Sequence, residues 1–315
     1  MTPRAALENE IFRGYVLLVA CLLLIAGIVL MLLRWRLGGK TDHAWKAYQA
    51  WLFMIPLIVV VMFLGREAFI VFVTILSLRG FWEFATATGL ARDRWLVVVV
   101  AAGFVGLGVA ALVTEPEQNT PGWYGLYLTL PVYVIVLIFL VPILRNSSTG
   151  QVRQGSLAVL GFMYIGWLFG FLALLANVRQ AYAYLSFLLF AVEACDIAAY
   201  ICGRIFGRHP LRSEISPKKT WEGALGSLAL AMSLPWMLRF TFPHFGAVEL
   251  LLTGLIVGIG GQVGDLSMSV IKRDVDVKDM GQVIPGHGGI LDRIDSLILV
   301  APLFFQMVHF FHNLY

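Results

Sequence analysis

The chain has 315 residues, 59% of them hydrophobic and only 13% charged, with a mean hydropathy of +0.83. A soluble domain carries about a quarter charged residues, so this composition excludes a soluble globular protein. The net charge of +4 is read as basic loops on one side of a membrane rather than as a nucleic-acid surface, and Cys21, Cys195 and Cys202 form neither a CxxC pair nor a disulfide framework.

The mixed-charge start MTPRAALENEIFR leads into an apolar run too long for a signal-peptide core and followed by no small-residue cleavage site, so it is read as a span. Windows of roughly twenty apolar residues, enough to cross ~30 Å of hydrocarbon, then recur along the chain. They cover 14–34, 47–65, 67–88, 95–113, 122–144, 155–177, 181–203, 221–240, 246–271 and 291–312. The second and third are separated only near Gly65 and Arg66, as a tight hairpin or one broken element, so the expectation is an all-α, polytopic membrane protein of about nine to ten transmembrane helices.

Loop charge gives the orientation. Arg34, Arg36, Lys40 and Lys46 follow the first span, Arg92 and Arg94 the third, and Arg145 and Arg153 the fifth. Arg204, Arg208, Arg212, Lys218 and Lys219 follow the seventh, and Lys272, Arg273 and Lys278 the ninth, whereas the alternate loops are poor in base. Basic loops stay cytoplasmic, so both chain ends are expected outside and the long loops 204–220 and 272–290 inside. Up to about residue 190 polar residues fall mainly at loops and helix ends, whereas from Asp196 onward charge enters the apolar segments and the loops become crowded with Gly, Lys, Arg and Asp. The chain is therefore divided into N-terminal spans (1–190) and a C-terminal catalytic region (191–315).

Between Asp265 and Asp295 charge is dense, although an ionised group in hydrocarbon costs at least ~2.5–3.5 kcal/mol. Asp265 lies inside LIVGIGGQVGDLSMSVI, and Asp292 and Asp295 share one face of the last helix. Carboxylates gathered at that depth point to a hard cation with sites left for phosphate. The competing reading makes Asp292 and Asp295 dipole complements and leaves Asp265 neutral or paired with Arg; for Asp295 both readings stay open. In IPGHGGILD, Gly286, Gly288 and Gly289 flank His287 just before a helix, where backbone N–H groups favour anions. His287 either serves a phosphate or leaving group, or only satisfies backbone carbonyls.

The second constellation runs from Asp196 to Gly223. Asp196 and Tyr200 share a face of the seventh span, Arg204 and Arg208 offer guanidinium forks, and Ser216, Lys218 and Lys219 precede Thr220, which can cap the eighth helix. Lys218 and Lys219 are read as phosphate contacts, Arg212 as a general lipid-headgroup contact. Arg79 and Glu83 are expected to neutralise each other at i,i+4, Gly254, Gly258, Gly260 and Gly264 to serve close helix packing, and His309 and His312 to be idle.

The stretch Ser269–Asp295 resembles the signature of phosphatidate cytidylyltransferases (CDP-diacylglycerol synthases): S-x-hydrophobic-K-R, four residues, K-D, then P-x-H-G-G, then D-R-hydrophobic-D. Ser269, Lys272, Arg273, Lys278, Asp279, Pro285, His287, Gly288, Gly289, Asp292, Arg293 and Asp295 all fall in place. Asp196, Ala199, Tyr200, Gly203, Arg204, Gly207 and ISPKKTWEG are similar to a second block of that family; the first 190 residues are similar only in being spans. The resemblance implies transfer of CMP from CTP to phosphatidate, a Mg²⁺ requirement with room for a second, monovalent cation, and homodimers as among relatives. It implies metal at Asp265 and Asp292, with Asp295 beside them, and catalytic roles for Lys272, Arg273, Lys278, Asp279, His287 and Arg293. Substrate contacts fall to Asp196, Tyr200, Arg204, Ser216, Lys218, Lys219, Gly288 and Gly289, at the cytoplasmic face of the inner membrane. Three rivals stand behind it: the same chemistry on another lipid phosphate, an ion-coupled transporter, and an inactive lipid-binding scaffold. The absence of a repeat and of charge in the first half weighs against transport, and no carboxylate or base of the signature is missing.

Overall fold

The computed structural model describes residues 1–37, 42–116, 120–281 and 288–314, with the backbone alone at Leu37 and His43. A short helix, α1 (Pro3–Glu8), is capped by Thr2, whose hydroxyl accepts the Ala5 N–H. The long helices α2 (Glu10–Leu37), α3 (Asp42–Leu64) and α4 (Arg66–Thr88) follow. The second and third windows are two helices because Gly65 adopts φ +113°, with the Met1 carbonyl 3.2 Å from where a β-carbon would stand. Asp93 caps α5 (Arg94–Leu112) and α6 (Tyr124–Leu144) runs back beside it. The sixth window is α7 (Gln151–Leu160), a π-helical segment over Gly161–Leu168, and α8 (Phe171–Leu175).

The C-terminal part comprises α9 (Ala181–Phe206), an antiparallel hairpin of β1 (Pro210–Arg212) and β2 (Ser216–Thr220), and α10 (Trp221–Met237). The ninth window is α11 (Ala247–Leu255), a second π segment over Ile256–Gly260, and α12 (Gly261–Asp274); α13 (Leu291–His312) closes the chain. Every apolar window is thus helical, and nine helices among the described residues are long and apolar enough to cross a membrane. The tenth, α10, has 17 residues.

The two ends of the bundle separate as loop charge required. At one end Arg145 bonds Asp93 at 2.7 Å, and Arg273 donates to the Ile215 carbonyl of the hairpin at 3.2 Å. At the other, Arg66 holds Asn177 and the Ala111 carbonyl, and Tyr182 donates to the Thr2 carbonyl at 2.9 Å. His312 pairs there with Glu249, and His309 accepts the Leu314 N–H and stacks on Phe305. Both histidines thus make packing contacts at this end of the bundle.

Burial is concentrated in α4, the α7–α8 segment and α13, whereas the apolar windows of α2 and α3 are 0% and 6% buried and face outward. The small-residue positions of the ninth window do serve close approach. A β-carbon at Gly264 would lie 2.5 Å from the Asp295 carbonyl and 3.1 Å from Ser296 Cα, so α12 and α13 touch backbone to backbone beside Asp265.

Candidate active site

The site is built where α9, the hairpin, α12 and α13 meet. Thr220 caps α10 by accepting the Gly223 N–H at 3.2 Å, as the sequence suggested, and this fixes where β2 ends. Lys219, one residue earlier, points its ammonium at the Asp265 carboxylate and pairs with it. Ser269, one turn further along α12, donates to the other Asp265 oxygen at 3.4 Å. Asp265 is thus paired, with Lys219 rather than with an arginine.

Around this pair charge accumulates. Asp196 on α9 lies within electrostatic reach of Asp265, Lys219 and Arg293, and buried Asp295 within reach of Asp265, Asp196 and Lys272. Glu193, one turn before Asp196, faces Asp196, Arg293 and Asp295. The sequence reading passed over Glu193, although a carboxylate three residues from Asp196 in the same apolar run was the available signal. Tyr164, from the first π segment, donates to the Gly264 carbonyl at 3.1 Å and also stands near Asp265 and Asp295. Single-turn π distortions frequently accompany functional sites, and here the first π segment brings Tyr164 beside this acidic group.

Asp292 does different work. Its Oδ1 accepts Lys272 Nζ at 2.9 Å, and its Oδ2 accepts the N–H groups of Met280 and Gly289, each at 3.0 Å. A buried ion pair needs further hydrogen bonds to hold, and here the carboxylate receives two backbone N–H groups besides the ammonium. The pair therefore ties the end of α12, the following loop and the start of α13 into one unit. The Gly289 N–H, expected to face substrate, is spent on Asp292 in this conformation; Gly288 takes φ +80° beside it.

Arg79 and Glu83 do not form the expected pair. Glu83 instead accepts the Ile290 and Leu291 N–H groups at 3.1 and 3.0 Å, and so sits at the start of α13. No signal near residue 83 discloses this, because its partners lie about two hundred residues away in sequence.

The remaining candidates are open to the outside. Arg204 donates to the Tyr200 hydroxyl at 2.7 Å, and its guanidinium lies 5.9 Å from that ring. Lys218, Arg273, Lys278, Asp279 and Arg293 are exposed, and Ser216 pairs with Arg212 across the hairpin. His287 and Pro285 lie outside the described residues.

A model of the cytidylyltransferase family matches residues 45–311. The chain belongs to the cytidylyltransferase family. The phosphatidate cytidylyltransferase of Bacillus subtilis (strain 168) is 31% identical over 231 residues, covering 70% of this chain and 84% of that protein. That of Synechocystis sp. (strain ATCC 27184 / PCC 6803 / Kazusa) is 50% identical over 121 residues, 37% of this chain and 40% of its own. The uncharacterized protein YnbB of Escherichia coli (strain K12) is 29% identical over 304 residues, 92% and 95% of the two chains.

Membership of this family implies a divalent cation in general, and the donor chemistry can be compared with that demand. Asp196, Asp265 and Asp295 offer hard oxygen ligands, and the Lys219 ammonium stands against Asp265 as a cation would. No three acidic, histidine or cysteine side chains among the described residues converge to ligate one ion. A small divalent ion bound by one or two carboxylates, waters and substrate phosphates needs no such trio. The residues fit such an ion at Asp265. Asp292 joins it only by releasing Lys272.

Proposed function

We propose that this cytidylyltransferase acts on phosphatidate, making CDP-diacylglycerol and pyrophosphate at the cytoplasmic face of an inner membrane. The observation that carries the reading is the Lys219–Asp265 pair set between Asp196, Asp295 and Arg293 on membrane-spanning helices. The similarity to phosphatidate cytidylyltransferases of other bacteria supports the lipid acceptor, and the basic loops at this end support the cytoplasmic side.

In the reaction a phosphate oxygen of phosphatidate attacks the α-phosphorus of CTP. The bond from that phosphorus to the β-phosphate oxygen breaks, and its electron pair leaves with pyrophosphate. Such transfers ask the protein chiefly for alignment and charge neutralisation. Lys219, held on Asp265, and Lys218 beside it meet the phosphates at the hairpin; Arg204, steadied by Tyr200, guards the same entrance. Arg273, Lys278 and Arg293 supply positive charge from α12, its following loop and α13, and Ser216 lines the hairpin side. Asp279 and Gly288 shape the turn that Asp292 and Lys272 fix, and His287 is the candidate proton donor. Asp265, with Asp196 and Asp295 beside it, would hold Mg²⁺, with room for a monovalent ion, and the metal would there supply charge neutralisation for the triphosphate. The proposal includes a homodimer and a division of labour between spans 1–190 and region 191–315.

The test is release of labelled pyrophosphate from CTP by the purified protein in detergent, with and without phosphatidate, and with Mg²⁺ present or chelated. The expected outcome is release dependent on both, reduced at least ~10²-fold in Asp265→Asn, the scale of losing one electrostatic contact to a transition state. Release with another lipid phosphate but not with phosphatidate would reassign the acceptor. No release from folded protein with any lipid phosphate would overturn the reading.

A further inference from the structure

We infer that Glu83 is a positioning residue for this nucleotidyl transfer, setting the turn and helix start that carry Asp292, Arg293 and Asp295. The inference rests on the proposed reaction for its kinetic consequence and on geometry for the rest. Glu83 is 4% exposed, far too enclosed to meet a soluble nucleotide, yet it comes from α4, outside the family signature. A buried carboxylate is tolerated only when hydrogen-bonded. Glu83 meets this by taking the Ile290 N–H on one oxygen and the Leu291 N–H on the other. These are two of the donors a helix start leaves without internal partners, placed where the helix dipole favours an anion.

Two glycines close on the same carboxylate from opposite arms of the loop. A β-carbon at Gly281 or Gly289 would collide with Glu83, so neither arm can carry a side chain without moving it. Gly289 at the same time donates to Asp292, and Asp292 holds Lys272. Glu83, Gly289, Asp292 and Lys272 are therefore one contiguous chain of contacts from α4 to α12. The anion site at the head of α13 is filled from within the protein, which leaves the triphosphate to the lysine and arginine side chains of the hairpin, α12, its following loop and α13. In a reaction governed by alignment, loosening this chain costs turnover more than substrate binding.

The test compares Glu83→Gln with wild type and with Arg79→Gln, a half-buried neighbour on α4 with no part in the chain of contacts among the described residues. Gln keeps the shape but presents an NH₂ donor to one of the two N–H groups. The expected result is kcat per folded molecule lowered about 10–100-fold, the usual cost of disturbing an outer-shell partner. KM for CTP stays within about threefold, by the same alignment argument, and Arg79→Gln within about twofold of wild type, the range of substitutions away from such contacts. Hydrogen exchange read over residues 288–292 speeds up in Glu83→Gln while the other spans keep wild-type protection. A wild-type kcat in folded Glu83→Gln, or unchanged exchange over 288–292, overturns the inference. If wild-type protein transfers no CMP, the proposed function fails by itself, and the exchange result still decides whether Glu83 sets the turn.

Discussion

Removing the Lys272 ammonium isolates one energetic element of the site from catalysis. The Lys272 and Asp292 side chains are 11% and 4% exposed and meet at 2.9 Å. Deleting one partner of a buried pair costs ~3–5 kcal/mol, because the other charge stays desolvated. In Lys272→Met the Asp292 carboxylate keeps the Met280 and Gly289 N–H groups, so the lower end applies. We expect about 3 kcal/mol, a factor of more than ~100 in the unfolding equilibrium constant. Asp292→Leu strands the ammonium together with two buried donors worth ~1–3 kcal/mol each, so it should cost the upper end or more. The double variant removes both charges and should cost less than the two singles summed, with a coupling of ~1–3 kcal/mol. SDS-titrated unfolding of the purified chain in mixed micelles, followed by tryptophan fluorescence, measures all three. Singles within about 0.5 kcal/mol of wild type, the range of ordinary surface changes, or a double equal to the sum, would refute the reasoning.

Two other outcomes follow from features away from that pair. Gly264→Ala forces α12 off α13, since the new β-carbon meets backbone rather than a flexible side-chain tip; the same unfolding assay should show a loss of ~1–3 kcal/mol, the usual cost of overpacking. At the opposite end of the bundle, burial and then the neighbouring His312 hold His244 below the usual histidine value, against the pull of Glu249, while Arg239 also lowers it. The folded chain therefore resists protonation of His244 that the unfolded chain accepts, so stability is complete above about pH 6.5, the ordinary histidine value, and falls as pH drops below it. A thermal midpoint followed from pH 7.5 to 5 should decline, and His244→Gln should flatten the decline.

Much of the helical framework is legible in the sequence, because a span needs only length and apolarity, and the alternation of basic loops sorts the two ends. Thr220 is legible as a cap because the motif is local. The hairpin at 210–220 is not, since SPKKT, four polar residues and a proline, carries no strand alternation and pairs where α9 and α10 bring its ends together. The π segments leave no compositional trace. Within the site, Asp292 and Asp295 look equivalent as two carboxylates one turn apart. The neighbours that arrive in space make one a buried partner of Lys272 and the other a member of the acidic group. Glu83 illustrates the same limit: the i,i+4 rule offers Arg79, whereas folding offers the unpaired amides of a distant helix, a better match for a buried anion.

The shortness of α10 has a consequence for the membrane itself. Its 17 residues rise about 26 Å at ~1.5 Å per residue, less than the ~30 Å of a typical hydrocarbon core. Trp221 and Trp236, both exposed, mark its two ends and suit the interfacial level. A helix too short for its bilayer thins the bilayer around it, at a cost of fractions of a kcal/mol per ångström of mismatch. Thinning of the leaflet beside the hairpin would bring a lipid head group closer to the depth of Lys219 and Asp265. Reconstitution into thinner and thicker lipids is thus a control on acceptor delivery as well as on folding.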